Sequence, residues 1–282
     1  MKKLFAILIL TSAFATGANA QLLYRISGNG LEKDSYIVGI HKLINPQGVV
    51  QQIAGIKEAM IATDQMYFES TPDSASYLKE ARVLDGSKTL KEVLTPGQYA
   101  KLNAFLKKHE GVGLESPHVQ KRYGNLTPLA LKDELEKLLF VANHMSEYDP
   151  THTFNEYFEA QAKVNKEPRY GLNGIDEQVA CLKELPLQRQ AEILMDFIEH
   201  EDAQLGIMDK VAAAFERQDP DAIARVSPMT PETTQAIAQW CARMPEIMKT
   251  PTLFIVDAGK LGGEEGLLNL LKKGGYTIEG VK

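Results

Sequence analysis

The segment Pro251–Val281, PTLFIVDAGKLGGEEGLLNLLKKGGYTIEGV, decides the fold class. Thr252–Asp257 (TLFIVD) is an almost unbroken apolar, β-branched run, as a strand buried on both faces requires. The AGKLGG turn follows, then EEGLLNLLKKG with leucines at helical spacing, then YTIEGV (Tyr276–Val281) as a last strand. Strand, helix and strand in so short a span predict an α/β protein.

The other end of the chain repeats this order. LLYRIS (Leu22–Ser27) and SYIVGIH (Ser35–His41) flank a turn carrying Gly28-Asn29-Gly30, which reads as a hairpin. QMYFES (Gln65–Ser70) is a third strand. Between them VVQQIAGIKEAMIA places Val49, Ile53, Ile56 and Met60 at helical spacing. Both chain ends thus carry a strand that runs into a Gly-containing loop, Gly39-Ile40-His41-Lys42 and Asp257-Ala258-Gly259-Lys260, an arrangement that places side chains at a cleft beside a sheet edge.

From about Ser74 to Ile247 the chain reads as helical. Thr95-Pro96, Thr127-Pro128, Leu185-Pro186 and Thr230-Pro231 mark helix starts, because Pro suits a first turn whose N–H has no partner. Pro168–Leu172 is a candidate short strand, and a helix follows from about Asp176. Pro186–Gln218 carries an apolar stripe from Ile193 to Phe215 that predicts one long amphipathic helix. The expected architecture is a single mixed α/β (α+β) domain over residues 21–282. A small mixed sheet from both chain ends and the middle strands carries a large helical insertion at about 74–247.

Residues 1–20 read as a cleavable signal peptide: Lys2 and Lys3, an apolar run from Leu4 to Phe14, then Ala18 and Ala20 ahead of Gln21. The run is too short to span a bilayer, and no later stretch approaches the necessary length, so a periplasmic or secreted protein without a membrane span is expected. Removing Lys2 and Lys3 leaves 29 basic against 37 acidic residues, a charge of -8, with no basic run. That balance excludes nucleic acid and anionic membrane as partners. Cys181 and Cys241, in an exported chain, suit either a disulfide or two buried thiols.

LLYRISGNGLEKDSYIVG (from Leu22), FES around Glu69, FNEYFEAQA from Phe154 and the C-terminal segment quoted above resemble the TraB/GumN family, which includes the Tiki proteins. The resemblance implies an α/β fold with metal-dependent peptidase or hydrolase chemistry. It also implies a G-x-x-H motif after an early strand, another after a late strand, and an acid on the third strand. Glu69 holds the acidic position. Lys42 and Lys260 stand where the family's histidines fall, and Asp257 where the second motif's Gly falls. Leu172-Asn173-Gly174 replaces a Leu-Glu-Thr that precedes a helical Gln, here Gln178. The Arg-Asn pair that family members carry before a Trp is absent ahead of Trp240.

A lysine ammonium has three donors and no acceptor, so two lysines repel a divalent ion. No cofactor is therefore expected, although the family implies a divalent metal, and the cleft should be that of a non-metal member. His41, one place before Lys42, is the fallback ligand together with Glu69. On an extended segment, however, it should face away from Lys42. The candidate catalytic residues are Glu69, Lys42 and Lys260, and the candidate ligand-binding residues Gly39, His41, Asp257 and Gly259. Three readings stay open for this set: a salt-bridged remnant, a pocket for a peptide or small anionic ligand, and a lysine-based hydrolase. His144, Glu147, Asp149 and His152 form a second, weaker cluster, broken by Pro150.

Overall fold

The structure, a computed structural model, describes residues 21–282 except Asp73, Ser87, Pro150 and Thr151, and except the side chains of Ala75, Ser76 and Cys181. The expected signal peptide lies outside the described residues. Six strands among them form one mixed sheet: β1 (Leu23–Ser27), β2 (Ser35–Ile40), β3 (Gln65–Ser70), β4 (Arg169–Asn173), β5 (Thr252–Asp257) and β6 (Thr277–Gly280), in the order β4-β3-β5-β2-β1-β6. β4, β3, β5 and β2 are mutually parallel, and β1 pairs antiparallel with both β2 and β6. This is the mixed α/β class expected from both chain ends.

β5 lies between β3 and β2, and Thr252–Val256 are buried throughout. That burial is why its sequence shows no polar alternation. Thr252, its one buried hydroxyl, donates to the Thr250 carbonyl at 2.7 Å, and its N–H donates to Ser35 Oγ at 3.1 Å. The β1–β2 turn holds Gly28, Asn29 and Gly30 at φ of 77°, 49° and 81°, a left-handed run that glycine and asparagine tolerate best. One sheet face packs Val38, Ile40, Phe68 and Ile255 against helices that include Ile56–Ala62 and Phe154–Asn165. The other packs Ile37, Phe254 and Val256 against Pro231–Ile247 and Leu267–Lys273.

A third group of buried side chains, from Leu84 to Phe197, lies within the helical part, and Met208 packs against both it and the first sheet face. Thr95, Thr127 and Thr230 each accept a main-chain N–H in the first turn of the helix that follows. The single long helix expected over 186–218 is two, Leu187–Glu199 and Glu201–Glu216. His200 breaks it at φ -109°, ψ 30°, with its Nδ1 bonded to the Asp196 carbonyl at 2.9 Å. The last helix begins at Leu267, so Glu264 and Glu265 precede it and do not occupy its first turn. Cys241 is a free, half-buried thiol whose burial pushes its pKa up to about 11. The side chain of Cys181 lies outside the described residues. No helix among the described residues is long and apolar enough to cross a membrane.

Candidate functional site

Four parallel strands end on one edge of the sheet, so Ile40, Ser70, Asn173 and Asp257 deliver their following residues to the same place. Glu69, next to last on β3, is the centre of the cluster there. Its Oε1 accepts the Asp257 N–H at 2.8 Å and its Oε2 accepts Lys260 Nζ at 2.5 Å. The Lys260 and Glu69 side chains are 20% and 17% exposed, so this ion pair is largely removed from water. Lys260 reaches Glu69 from a short 3-10 turn, Ala258–Lys260, which Asp257 Oδ1 caps by accepting the Gly259 N–H at 2.9 Å.

The lysine also lies 5.2 Å from the centre of the Trp240 ring, within cation–π range. Trp240 Nε1 donates to Asn173 Oδ1 at 2.7 Å, and Gln178 Nε2 donates to the Asn173 carbonyl at 3.0 Å. Asn173 thus connects to Lys260 and Glu69 through Trp240.

Lys42 is held more loosely. Its Nζ is 4.0 Å from Asp257 Oδ2 and its side chain is 60% exposed. Glu69 first, then Asp257, raises its pKa, so it stays an ammonium ion. His41 departs from expectation: it lines the same cleft as Lys42. β2 ends at Ile40, so the alternation of an extended strand no longer governs the next residues. His41 Nδ1 accepts the N–H groups of Leu43 and Ile44, both at 3.2 Å, and its ring packs 5.4 Å from Phe140 and 5.5 Å from Phe215. Burial among these rings lowers its pKa to about 4; Lys42 and His144 push in the same direction and Asp257 opposes them.

Gly39 serves packing. A Cβ there would lie 2.8 Å from Leu261 Cδ1 and 3.2 Å from Ala258 Cβ, so glycine lets β2 approach the 3-10 turn without displacing these side chains. Gly259 lies on the cleft wall.

The cleft encloses about 670 Å³ between this edge, the helix Pro128–Asn143, the helix Glu201–Glu216 and the segment Ser227–Thr233. Its walls carry charges that strand-centred motif reading misses. Arg82 bonds Asp133 at 2.8 Å and Glu134 at 3.3 Å, Lys137 bonds Glu134 at 3.0 Å, and Lys132 pairs with Glu136. In sequence these resemble the solvated face of a helix, and only their alignment opposite Lys42 distinguishes them.

The donor set does not fit the divalent metal that the family resemblance implies. Both Glu69 oxygens are engaged, His41 Nδ1 faces two N–H donors, and Lys42 and Lys260 offer no lone pair while charged. Among the described residues no three His, Cys, Asp or Glu side chains gather where one ion could be held. The second cluster divides as well: His144 bonds Glu147 and Asp209, each at 3.0 Å, and His152 bonds Asp149 at 2.7 Å. Asp209, brought in from another helix, had no local signal in the sequence.

A family model described as the TraB/PrgY/gumN family matches residues 22–280. Comparison with curated proteins gives no match, and neither does comparison with solved structures.

Proposed function

We propose that this chain, which belongs to the TraB/PrgY/gumN family, is an exported, metal-free member that binds a peptide in the cleft at the C-terminal edge of its parallel strands. One observation carries the proposal: the Lys260 ammonium occupies the Glu69 carboxylate, so a fixed internal cation stands where a metal ion's charge would be needed. Export rests on the leader read at residues 1–20. The walls pair nearly every charge internally, and Lys42 and Asp257 Oδ2 remain the loosely held donor and acceptor beside each other. A peptide terminus offers complementary groups, a carboxylate or carbonyl for Lys42 and an N–H for Asp257. A lysine-based hydrolase finds less support, since Glu69 and Asp257 hold Lys42 in the charged form that is neither base nor nucleophile.

The test has two readouts. After dialysis against zinc, manganese and cobalt, elemental analysis should find no stoichiometric metal; close to one ion per chain restores the metallohydrolase. Calorimetric titration with tri-alanine, its N-acetyl form and its C-terminal amide should show saturable binding that weakens most for the amide. K42M should abolish that difference. Equal binding of acid and amide by the wild type would refute the placement of the carboxylate on Lys42.

A further inference from the structure

We infer that His41 is a hydrogen-bond donor locked in one neutral tautomer, which presents Nε2–H to an acceptor oxygen on the ligand of this cleft. The inference rests on the ligand-binding reading above and assigns to His41 a recognition role distinct from metal ligation.

A ring nitrogen that accepts two main-chain N–H groups carries no proton of its own. His41 Nδ1 accepts from Leu43 and from Ile44, each at 3.2 Å. In the uncharged ring the proton therefore sits on Nε2. Both donors belong to the turn that His41 itself begins, so the assignment is built into the backbone. Phe140 and Phe215 flank the ring at 5.4 and 5.5 Å and disfavour its charged form. Burial lowers its pKa to about 4, so the ring is neutral at neutral pH.

His41, Lys42 and Asp257 line the same cleft. They offer a neutral donor, a charged donor and an acceptor in adjacent positions. A carboxylate, or a carbonyl beside an amide N–H, matches that order. The same tautomer explains why His41 cannot serve as the motif histidine one place away: Nδ1 is already accepting, and Nε2 has given its lone pair up to the ring while protonated.

Long-range 1H–15N spectra of the labelled protein at pH 7 test the tautomer directly, with the His41 signals identified by their absence in His41→Asn. Expected is a protonated Nε2 and an unprotonated Nδ1; a protonated Nδ1 or an imidazolium overturns the inference. Asn at this position keeps an acceptor for the Leu43 and Ile44 N–H groups and removes the far donor. Tri-alanine binding to the folded variant should weaken about three- to tenfold, the contribution of one net hydrogen bond. Unchanged affinity overturns the donor role while the peptide reading stands. Absence of saturable tri-alanine binding to the wild type overturns both, and the tautomer spectrum then shows whether the built-in geometry was nevertheless correct.

Discussion

Lys260→Met removes the ammonium from Glu69 while keeping much of the aliphatic stem over Trp240. Removing one partner of a buried ion pair costs about 3–5 kcal/mol, because the remaining charge is left desolvated. Here the partners are 20% and 17% exposed, and Glu69 keeps the Asp257 N–H at 2.8 Å. The expected loss is therefore smaller, about 2–3 kcal/mol, of which the lost cation–π contact is about 0.5–1 kcal/mol. In a chain of this size that lowers the melting temperature by about 5–10 °C. Urea unfolding followed by circular dichroism and by the fluorescence of Trp240, the single tryptophan, measures it. Glu69→Gln should cost a similar amount, and the double variant less than the sum by at least about 1 kcal/mol, since the two changes remove one shared interaction. A loss below about 0.5 kcal/mol for K260M, or strict additivity, would refute the reading of Lys260 and Glu69 as a coupled pair largely removed from water.

His41 gives a pH signature. Its folded pKa, about 4, lies below its ordinary value of 6.5, so between those values the unfolded chain takes up a proton that the folded chain refuses. Stability therefore rises with pH through that window and is lost on acidification, by up to about 3 kcal/mol in total. The slope of stability against pH between 4 and 6.5 should flatten in His41→Asn, and an unchanged slope would show that His41 is not its source. Gly39→Ala drives a Cβ to 2.8 Å from Leu261 Cδ1 and should cost about 1–3 kcal/mol by overpacking. A thermal melt identical to wild type would disprove the tight approach of β2 to the 3-10 turn.

Particular residues show why the fold was legible from sequence. TLFIVD is apolar throughout because β5 is central, and β1 with β2 announced itself through a glycine-rich turn whose three positive φ angles few other residues accept. Thr-Pro pairs marked helix starts because capping is local chemistry. Breaks that depend on a longer-range balance were not legible. Nothing in the stripe from Ile193 to Phe215 announces the interruption at His200, because the apolar periodicity continues across a residue that leaves the helical region of φ and ψ.

The site was legible in part for a related reason. Strand-end residues reach one edge whenever the strands are parallel and adjacent, so Glu69, Asp257 and Lys260 follow from topology once the order β3-β5-β2 is known. His41 was a candidate with them, but its side chain was expected to face away from Lys42, because strand alternation was extended one residue past Ile40, where the strand stops. Arg82 and Lys132, which line the cleft, were not candidates, since that depends on which helix faces which. That asymmetry has a mechanistic consequence. Lys260, Trp240, Asn173 and Gln178 form one connected set of contacts behind Glu69. Histidine at Lys260 would itself free Glu69 Oε2 and leave Trp240 without its cation, so it dismantles these contacts. Glu69 Oε1 would still accept the Asp257 N–H, which leaves one carboxylate oxygen of Glu69 for an ion. K42H/K260H alone should accordingly bind zinc more weakly than a variant in which Asn173 is also changed to Glu, which adds a further carboxylate at the same strand edge. Equal zinc affinity of the two variants by competition titration would show that Asn173 lies out of reach of the ion and that the contacts behind Glu69 are independent of the metal geometry.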